Sequence, residues 1–384
     1  MKFSPRAEVE FDALLVGGSL GLAVLGTLMV GSASISLADN STGDPFFYLF
    51  RHLGAIAIGG VALAVAAATP IELWYRMNGL LLVAGVALLA SVLLPGIGHT
   101  VNGSARWISL GPITLQPSEP ARLCMLLYLA SYAVRRHAEL TSSLLGFLKP
   151  LLLVGLAGVL LLAEPDFGAL VVLTSASLGV LFVAGARLRD VALAFIAAGA
   201  GFAVLSFSAS YRLERLTAFL DPWADPYASG FQLTQSLIAI GRGDWLGVGL
   251  GESVQKMFYL PEAHTDFVFA VLAEELGFVG STAVIALFGL VVFRAIAIGQ
   301  RAIAAGLPFH GLVATGIGLT IGLQAFINIG VNTGLLPTKG LTLPLLSYGR
   351  SSTIVTLAAL GLLVRIYHEL RPAERRREAA GRDA

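Results

Sequence analysis

The sequence has few charged residues and a single cysteine. Of its 384 residues only 13% are Asp, Glu, Lys or Arg, whereas 56% are hydrophobic, and about a quarter of the residues of an average soluble domain are charged. This composition excludes an ordinary soluble domain and predicts an integral membrane protein. Cys124 is the one cysteine of the sequence, which excludes an intramolecular disulfide.

A clear signal-peptide cleavage site is also missing after the first apolar run, residues 14–31. The run is as long as a full span, so we expect it to stay in the protein as the first transmembrane helix.

A dinucleotide-binding loop is excluded as well. The glycines of residues 247–251 follow no predicted strand, and their spacing differs from that of such loops.

Ten apolar segments are long enough to be transmembrane helices. They cover residues 14–31, 53–68, 79–94, 118–134, 144–162, 167–186, 191–207, 267–293, 312–335 and 345–364. The predicted fold is an all-α integral membrane protein with about ten transmembrane helices. We expect one polytopic membrane domain, residues 1–369, and a charged cytoplasmic tail, residues 370–384. Residues from about 208 to 265 are too many for a turn and predict a large structured extracytoplasmic loop with a short helix near Leu233 and Leu237.

The basic residues predict the orientation. An even number of spans puts both termini on one side, and 16 of the 25 Lys and Arg residues would lie there, which makes that side cytoplasmic. The other nine would lie outside: Arg51, Arg106, Arg122, Arg212, Arg215, Arg242, Lys256, Lys339 and Arg350. Basic groups that converge outside favour an anionic ligand such as phosphate. The alternative is a solvated loop with ordinary surface ion pairs.

Residues 260–267, Leu-Pro-Glu-Ala-His-Thr-Asp-Phe, place several titratable side chains directly before the eighth span. Asp266 would lie where water meets lipid, and an ionisable group there is costly unless it faces a polar cavity or a partner. This position favours a functional site. The alternative is that Asp266 caps the helix, since Thr and Asp favour caps. Glu274 is eight residues further on, about 80° around an ideal helix, and would share a cavity with Asp266.

Two further groups of polar residues are predicted inside or next to the spans. One group recurs every fourth position in the ninth span and shares one helical face: Thr320, Gln324, Asn328 and Asn332. Such a stripe either forms interhelical hydrogen bonds or contacts a ligand. Glu164 and Asp166 lie in the short connection between the fifth and sixth spans, where they would bind a cation or pair with the external arginines.

Several segments resemble motifs of the SEDS family (shape, elongation, division and sporulation). The longest is residues 260–277; the others, in family order, are Asn-Gly-Ser-Ala-Arg-Trp (102–107), Gln-Pro-Ser-Glu (116–119), Glu-Pro-Asp-Phe-Gly (164–168), Arg-Leu-Glu-Arg (212–215) with Asp-Pro-Trp (221–223), and Gly-Phe-Gln-Leu-Thr-Gln-Ser (230–236). The resemblance covers essentially the whole membrane region. Residues 255–264 and 328–340 look more like the division branch than the elongation branch. Arg350 stands where the family usually has a glycine.

The resemblance implies a peptidoglycan glycosyltransferase that polymerises lipid II during septal cell-wall synthesis. Lipid II is a disaccharide-pentapeptide on undecaprenyl pyrophosphate, and the reaction would occur at the outer face of the bacterial cytoplasmic (inner) membrane. Asp266 would be the catalytic carboxylate, which takes the proton from the acceptor's 4-hydroxyl with inversion at the donor carbon. The implied substrate-binding residues are Arg106, Trp107, Arg212, Arg215, His264 and Lys339. The implied supporting residues are Glu119, Glu164, Glu262, Glu274, Asn328, Asn332 and Ser347.

A helix N-terminus would stabilise the charged form of Asp266 and weaken it as a base. A divalent cation, Mg²⁺ or Mn²⁺, held by Asp266 would resolve this difficulty, although the sequence does not require one. The resemblance also implies partners: lipid II, a class B penicillin-binding protein that supplies transpeptidation, division regulators and membrane lipids, with no nucleic acid among them. The alternatives are an elongation-type polymerase, a lipid II flippase and a purely structural scaffold for division proteins.

Overall fold

The computed structural model describes residues 10–382 except 102–103, 112 and 208–216. Within this part of the chain, twelve helices of six or more residues form most of the structure. They are α1 (Ala13–Thr42), α2 (Phe47–Ala68), α3 (Ile71–Val92), α4 (Ser118–Arg135), α5 (His137–Ser142), α6 (Leu144–Ala163), α7 (Phe167–Val183), α8 (Leu188–Phe207), α9 (Phe231–Gly243), α10 (Val268–Ala304), α11 (Pro308–Asn332) and α12 (Arg350–Arg382).

Each of the ten predicted spans corresponds to one helix, in the predicted order, which confirms the helical membrane fold. Seven of the described helices are long and apolar enough to cross a membrane: α1, α2, α3, α6, α10, α11 and α12. The short helix predicted in the long loop is α9, which begins at Phe231. The predicted boundaries are less accurate, since α1 continues to Thr42 and α12 begins at Arg350 rather than residue 345.

A three-stranded sheet lies between α3 and α4, where the sequence predicted a loop. Its antiparallel strands are β1 (Gly98–Val101), β2 (Ser104–Leu110) and β3 (Ile113–Leu115), in the order β1-β2-β3. Trp107 pairs with His99 across β1 and β2, and Ser109 pairs with Thr114 across β2 and β3. This sheet gives Arg106 and Trp107 a fixed backbone.

Helix α10 is broken at Gly277, whose φ of 67° and ψ of −164° are not helical. In a continuous helix the carbonyls of Glu274 and Glu275 would accept from the N–H groups four residues later. Here they accept instead from Val248 and Gly249, at 2.9 and 3.1 Å, and the freed N–H groups of residues 278 and 279 donate to the carbonyls of residues 244 and 245. The segment 244–249 thus replaces the missing helical bonds, and the prediction of one unbroken span over residues 267–293 is wrong.

The first part of α10, residues 268–276, is enclosed by protein. Each side chain from Val268 to Glu275 is at most 3% exposed. Helices α1, α9 and α11 pack around α10. The stretch is apolar from Val268 to Ala273 and buried on all sides, which is typical of a protein core rather than of a lipid-facing surface. The stretch after Asp266 is therefore a rigid buried half-helix.

The helix bundle has two faces. We call one the Asp266 face; it is formed by the small sheet, the turn at residues 164–166, the segment 217–267 and the connector 333–349. The opposite face carries the start of α1 and the end of α12, where Arg294 pairs with Asp12 and Arg371 pairs with Glu10. Helix α12 continues through Pro372 to Arg382, so the described part of the charged tail is helical.

Candidate active site

Asp266 is half-buried and lies in the turn that leads into α10. The N-cap residue of α10 is Phe267, whose side chain makes no capping hydrogen bond. Asp266 therefore precedes the N-cap position and does not occupy it. The turn is closed by the carbonyl of Glu262, which accepts from the N–H groups of Thr265 and Phe267 at 3.2 and 3.1 Å. Glu262 itself is exposed, and its carboxylate accepts from Thr265 Oγ1 at 2.6 Å.

Two asparagines of α11 fix the backbone of Asp266. The Asp266 carbonyl accepts hydrogen bonds from Asn328 Nδ2 at 2.8 Å and from Asn332 Nδ2 at 3.0 Å. Asn328 also donates to the carbonyl of Leu341, and Asn332 Oδ1 accepts from the N–H of Ala270. Both side chains are at most 1% exposed. The two asparagines of the polar stripe thus bond to neighbouring segments and hold Asp266 in place, whereas Thr320 donates to the carbonyl of Gly316 in its own helix.

The connector between α11 and α12 brings Lys339 and Gly340 to Asp266. A methyl group added at Gly340 would lie 2.8 Å from Asp266 Oδ2, so the backbone of the connector touches the carboxylate. Lys339 Nζ lies 4.1 Å from the centre of the Phe167 ring at the start of α7. Ser347 closes the far end of the connector, because its Oγ accepts from the N–H of Leu343 at 2.9 Å. Lys339 directly precedes the glycine that contacts Asp266, and its predicted role as a substrate cation stays a prediction.

Arg106 joins the sheet to the turn between α6 and α7. Its guanidinium donates to the carbonyls of Glu164, at 3.3 Å, and Pro165. It therefore contacts the backbone of this turn rather than its carboxylates. Asp166 Oδ2 accepts from Gln116 Nε2 and Ser118 Oγ at 3.2 and 3.3 Å. This network holds Arg106 next to the turn that carries Phe167, the contact of Lys339.

Glu164 is fully buried, and neither of its carboxylate oxygens accepts a hydrogen bond from the described residues. Burial raises the pKa of Glu164 to about 8; the negative charge of Asp166 adds to the shift and Arg106 opposes it. A buried carboxyl group avoids the cost of an unpaired charge by keeping its proton. Glu164 is thus a neutral acid at the edge of the site, a state that the sequence did not indicate.

His264 is buried against two tyrosines, and its predicted role as a substrate contact stays a prediction. Its ring centre lies 4.8 Å from Tyr48 and 5.5 Å from Tyr348, and its carbonyl accepts from the N–H of Tyr348 at 2.9 Å. Burial lowers the pKa of His264, and the charge of Glu262 opposes this. The ring is therefore a packing element of the Asp266 turn. Tyr48 belongs to no motif singled out in the sequence, whereas Tyr348 lies two residues before Arg350.

Several of the predicted external cations are engaged by buried carboxylates. Arg122 pairs with Glu119 inside α4, and Lys256 pairs with Glu275 at 2.7 Å. Such cations hold the protein together and are not open to a ligand. The expectation that the external basic groups bind an anionic ligand therefore does not extend to Lys256.

Glu274 does not share the Asp266 site. Its carboxylate accepts from Arg242, Ser253 and the N–H groups of residues 254 and 255. It organises the segment that fills the break in α10.

Arg212 and Arg215 lie outside the described residues, so their role stays a prediction, as does that of Trp107. Among the described residues, no group of three or more His, Cys, Asp or Glu is placed to hold a metal ion.

The fold and the site define a polytopic helical membrane protein with a half-buried carboxylate at one face. The family model described as cell cycle protein, which covers FtsW, RodA and SpoVE, matches residues 13–372. The chain therefore belongs to this family, the SEDS proteins, and its relatives are of the FtsW or division branch.

Two relatives show the closeness of this match. The probable peptidoglycan glycosyltransferase FtsW of Nitrosococcus halophilus is 53% identical over 374 residues, which are 96% of each chain. That of Alkalilimnicola ehrlichii is 55% identical over 355 residues, which are 92% of this chain and 88% of the relative. These values confirm the resemblance to the SEDS division branch.

Solved structures share the fold. A chain of a peptidoglycan synthase complex, described for its structural coordination of polymerization and crosslinking, has a TM-score of 0.77 and 30% identity, and the match covers 94% of this chain and 99% of that one. The rod shape determining protein RodA of Thermus thermophilus has a TM-score of 0.69 and 29% identity, over 94% of this chain and 97% of that one.

Proposed function

We propose that this protein polymerises lipid II into glycan strands at the outer face of the bacterial cytoplasmic membrane during septal cell-wall synthesis. It is a peptidoglycan glycosyltransferase by family. The observation that carries the proposal is the placement of Asp266: its backbone is fixed by Asn328 and Asn332, and its carboxylate touches the connector next to Lys339.

The reaction joins two lipid-linked sugars. The acceptor's 4-hydroxyl oxygen forms a bond to the donor's anomeric carbon, the bond from that carbon to the pyrophosphate oxygen breaks, and the hydroxyl proton passes to a base. In our proposal Asp266 is that base, and the product configuration is inverted.

The departing pyrophosphate leaves with negative charge, which needs cations at the site. Lys339, next to Gly340, and Arg106, which is held at the α6–α7 turn, are the two basic side chains that we assign to it. Their orientation is maintained by contacts with Phe167 and with the turn's carbonyl groups. A divalent cation, if required, would supply further neutralisation there; the residues offer Asp266 as one ligand.

The Asp266 face is the extracytoplasmic face in this proposal, and both termini are cytoplasmic. The surplus of Lys and Arg on the opposite segments supports this orientation. A flippase would need a route to both faces, whereas the basic residues near Asp266 gather at one. We further propose a class B penicillin-binding protein as partner, because the related chain comes from a complex that coordinates polymerization with crosslinking.

The test is polymerisation of purified lipid II by the full chain, with and without a penicillin-binding protein and with and without a chelator. Asp266→Asn and Asp266→Ala are expected to lower the rate by about 10²–10⁴-fold, the usual contribution of a general base. Asp39→Asn, which changes an exposed carboxylate in α1, is the matched control and should keep the normal rate. Folded Asp266 variants with a normal rate would overturn the proposal.

A further inference from the structure

Helix α12 continues past the level at which neighbouring helices begin or end. Helix α3 begins beside α12, because the N–H of Ile71, its first residue, donates to Glu369 at 3.2 Å. Helix α10 ends beside it, because Arg301 in the last turn of α10 pairs with Glu374 at 2.7 Å. Helix α12 itself runs on to Arg382. Its last turns therefore leave the bundle at the face opposite Asp266.

The length of α12 places this level at the edge of the bilayer. At about 1.5 Å per residue, the part of α12 from Arg350 to Leu370 is about 30 Å long, which is the thickness of the hydrocarbon core. Tyr367 lies just before this point, with the guanidinium carbons of Arg301 and Arg371 at 5.6 and 5.9 Å from its ring centre. Tyrosine and basic residues are typical of a membrane–water interface. The residues after Leu370 therefore lie at the depth of the lipid headgroups.

Arginines outnumber their carboxylate partners at this depth. Glu10, before the start of α1, pairs both with Arg371, at 3.1 Å, and with Arg375, so one carboxylate faces two guanidinium groups. Within the part of the chain that the structure describes, no carboxylate pairs with Arg376 or Arg377. The end of α12 thus carries positive charge that its own neighbours leave uncompensated.

Three successive guanidinium groups lie on one exposed turn: those of Arg375, Arg376 and Arg377. Arg377 donates to the carbonyl of Ala304 at the end of α10, a contact that orients it but supplies only the partial negative charge of a helix end. Arg376 lies about 100° from each of its two neighbours around the helix. It forms no hydrogen bond or ion pair with a described residue, so all of its N–H donors can bind a ligand.

The chemistry and the depth of this turn fit the phosphate of a lipid headgroup. Arginine binds phosphate through paired N–H donors and is only weakly hydrated. Basic residues directly after a membrane span attract anionic lipids, and this attraction falls off within a Debye length of the surface. The headgroups of the adjoining leaflet lie at the depth of the turn, whereas nothing would hold a soluble anion there.

We propose that Arg376, supported by Arg375 and Arg377, binds the headgroup phosphate of an anionic phospholipid. The lipid belongs to the leaflet next to this face, which is the cytoplasmic leaflet in the proposed orientation. The site lies at the opposite face of the bundle from Asp266, so it goes beyond the proposed function. Its consequence is a preference of the chain for anionic over zwitterionic lipid that depends on these three arginines.

The test is thermal unfolding of the full chain in a neutral detergent to which phosphatidylglycerol or phosphatidylcholine is added. Phosphatidylglycerol should raise the melting temperature of wild type more than phosphatidylcholine, because a ligand that binds the folded state stabilises it. Arg376→Gln should need about fivefold more phosphatidylglycerol for the same gain, and Arg376→Gln/Arg377→Gln about twentyfold more. Arg376→Lys keeps the charge and should keep part of the affinity. Arg136→Gln, which breaks an exposed pair with Glu139, is the control with unchanged lipid dependence.

A second arm separates a lipid headgroup from a free anion. Inorganic phosphate should change the melting temperatures of wild type and the double variant equally; a gain confined to wild type would show that the turn takes a free anion and would overturn the lipid assignment. Added KCl should reduce the phosphatidylglycerol gain of wild type towards that of the double variant, since exposed charges are screened. An equal gain from phosphatidylglycerol in both proteins would overturn the site, whether or not the chain polymerises lipid II. A chain that shows the expected lipid difference without polymerising lipid II would contradict the proposed function alone.

Discussion

Gly340 lies against Asp266 so closely that a methyl group on its α-carbon would be 2.8 Å from Asp266 Oδ2. The nearest atom is the carboxylate oxygen itself rather than a flexible apolar side chain. The backbone of Gly340 thus limits the position of the Asp266 carboxylate on one side. On its other side the backbone of Asp266 is held by Asn328 and Asn332.

Gly340→Ala is therefore expected to displace the carboxylate and lower kcat by about 10–100-fold, since small misplacements of a catalytic group carry large rate penalties. Gly340 does not have a positive φ, so alanine fits its backbone and the variant should fold. Gly241→Ala in α9 is the matched control, because a methyl group there meets nothing within 4 Å. Equal polymerisation rates for Gly340→Ala and wild type would show that the carboxylate tolerates displacement and would count against its role.

The raised pKa of Glu164 predicts that the stability of the folded protein depends on pH. Its pKa in the folded protein is about 8, against an ordinary value of 4.5, chiefly because of burial. The folded state therefore holds this proton more tightly than the unfolded state, and stability falls as pH rises through the window from about 4.5 to about 8. Glu164→Gln keeps a neutral side chain at every pH and removes this contribution. The melting temperature of wild type should fall relative to that of Glu164→Gln between pH 5 and pH 8.

The control for this measurement is Glu252→Gln, which changes an exposed carboxyl group on the same face. Its melting temperature should follow that of wild type across the same pH range. Curves of wild type and Glu164→Gln that stay parallel from pH 5 to pH 8 would mean that Glu164 is ionised in the folded protein. In that case a cation or a water network, rather than a proton, would have to stabilise it.

The sequence predicted the helices well because each is encoded by its own apolar run. It also singled out Asp266, whose catalytic role stays a prediction, and the asparagine stripe, since a carboxylate or an amide face is conspicuous within apolar segments. The break in α10 was not predicted. Residues 267–293 read as one continuous span, and the groups that satisfy the broken helical bonds come from residues 244–249, whose position depends on tertiary packing.

The roles of charged residues were harder to predict than their presence. Lys256 and Arg350 are both basic residues on the Asp266 face, yet Lys256 is buried in an ion pair whereas Arg350 lies at a helix start. Nothing in the local sequence distinguishes them, because the partner Glu275 becomes a neighbour only when residues 244–256 pack against α10. The contacts of His264 with Tyr48 and Tyr348 likewise join three distant segments.

Lys256 and Glu275 form a buried ion pair that connects three parts of the chain. Lys256 Nζ lies 2.7 Å from Glu275 Oε1 and donates to Ser32 Oγ of α1 and to the carbonyl of Gly251, at 2.8 and 2.6 Å. Glu275 is fully buried and Lys256 is 8% exposed. Removing one partner of such a pair leaves an uncompensated buried charge, which typically costs about 3–5 kcal/mol.

Lys256→Met should therefore lower the melting temperature strongly, and Lys256→Met/Glu275→Gln should recover much of the loss, because the second change removes the orphaned charge. Arg76→Met is the matched control. It breaks the ion pair between Arg76 and Glu72, whose side chains are 73% and 62% exposed. Such exposed ion pairs contribute only about 0–1 kcal/mol to the stability of a protein. Thermal unfolding of the four proteins in one detergent measures these differences. A double variant no more stable than Lys256→Met would show that the packing of the lysine, rather than the charge of Glu275, determines the stability of this segment.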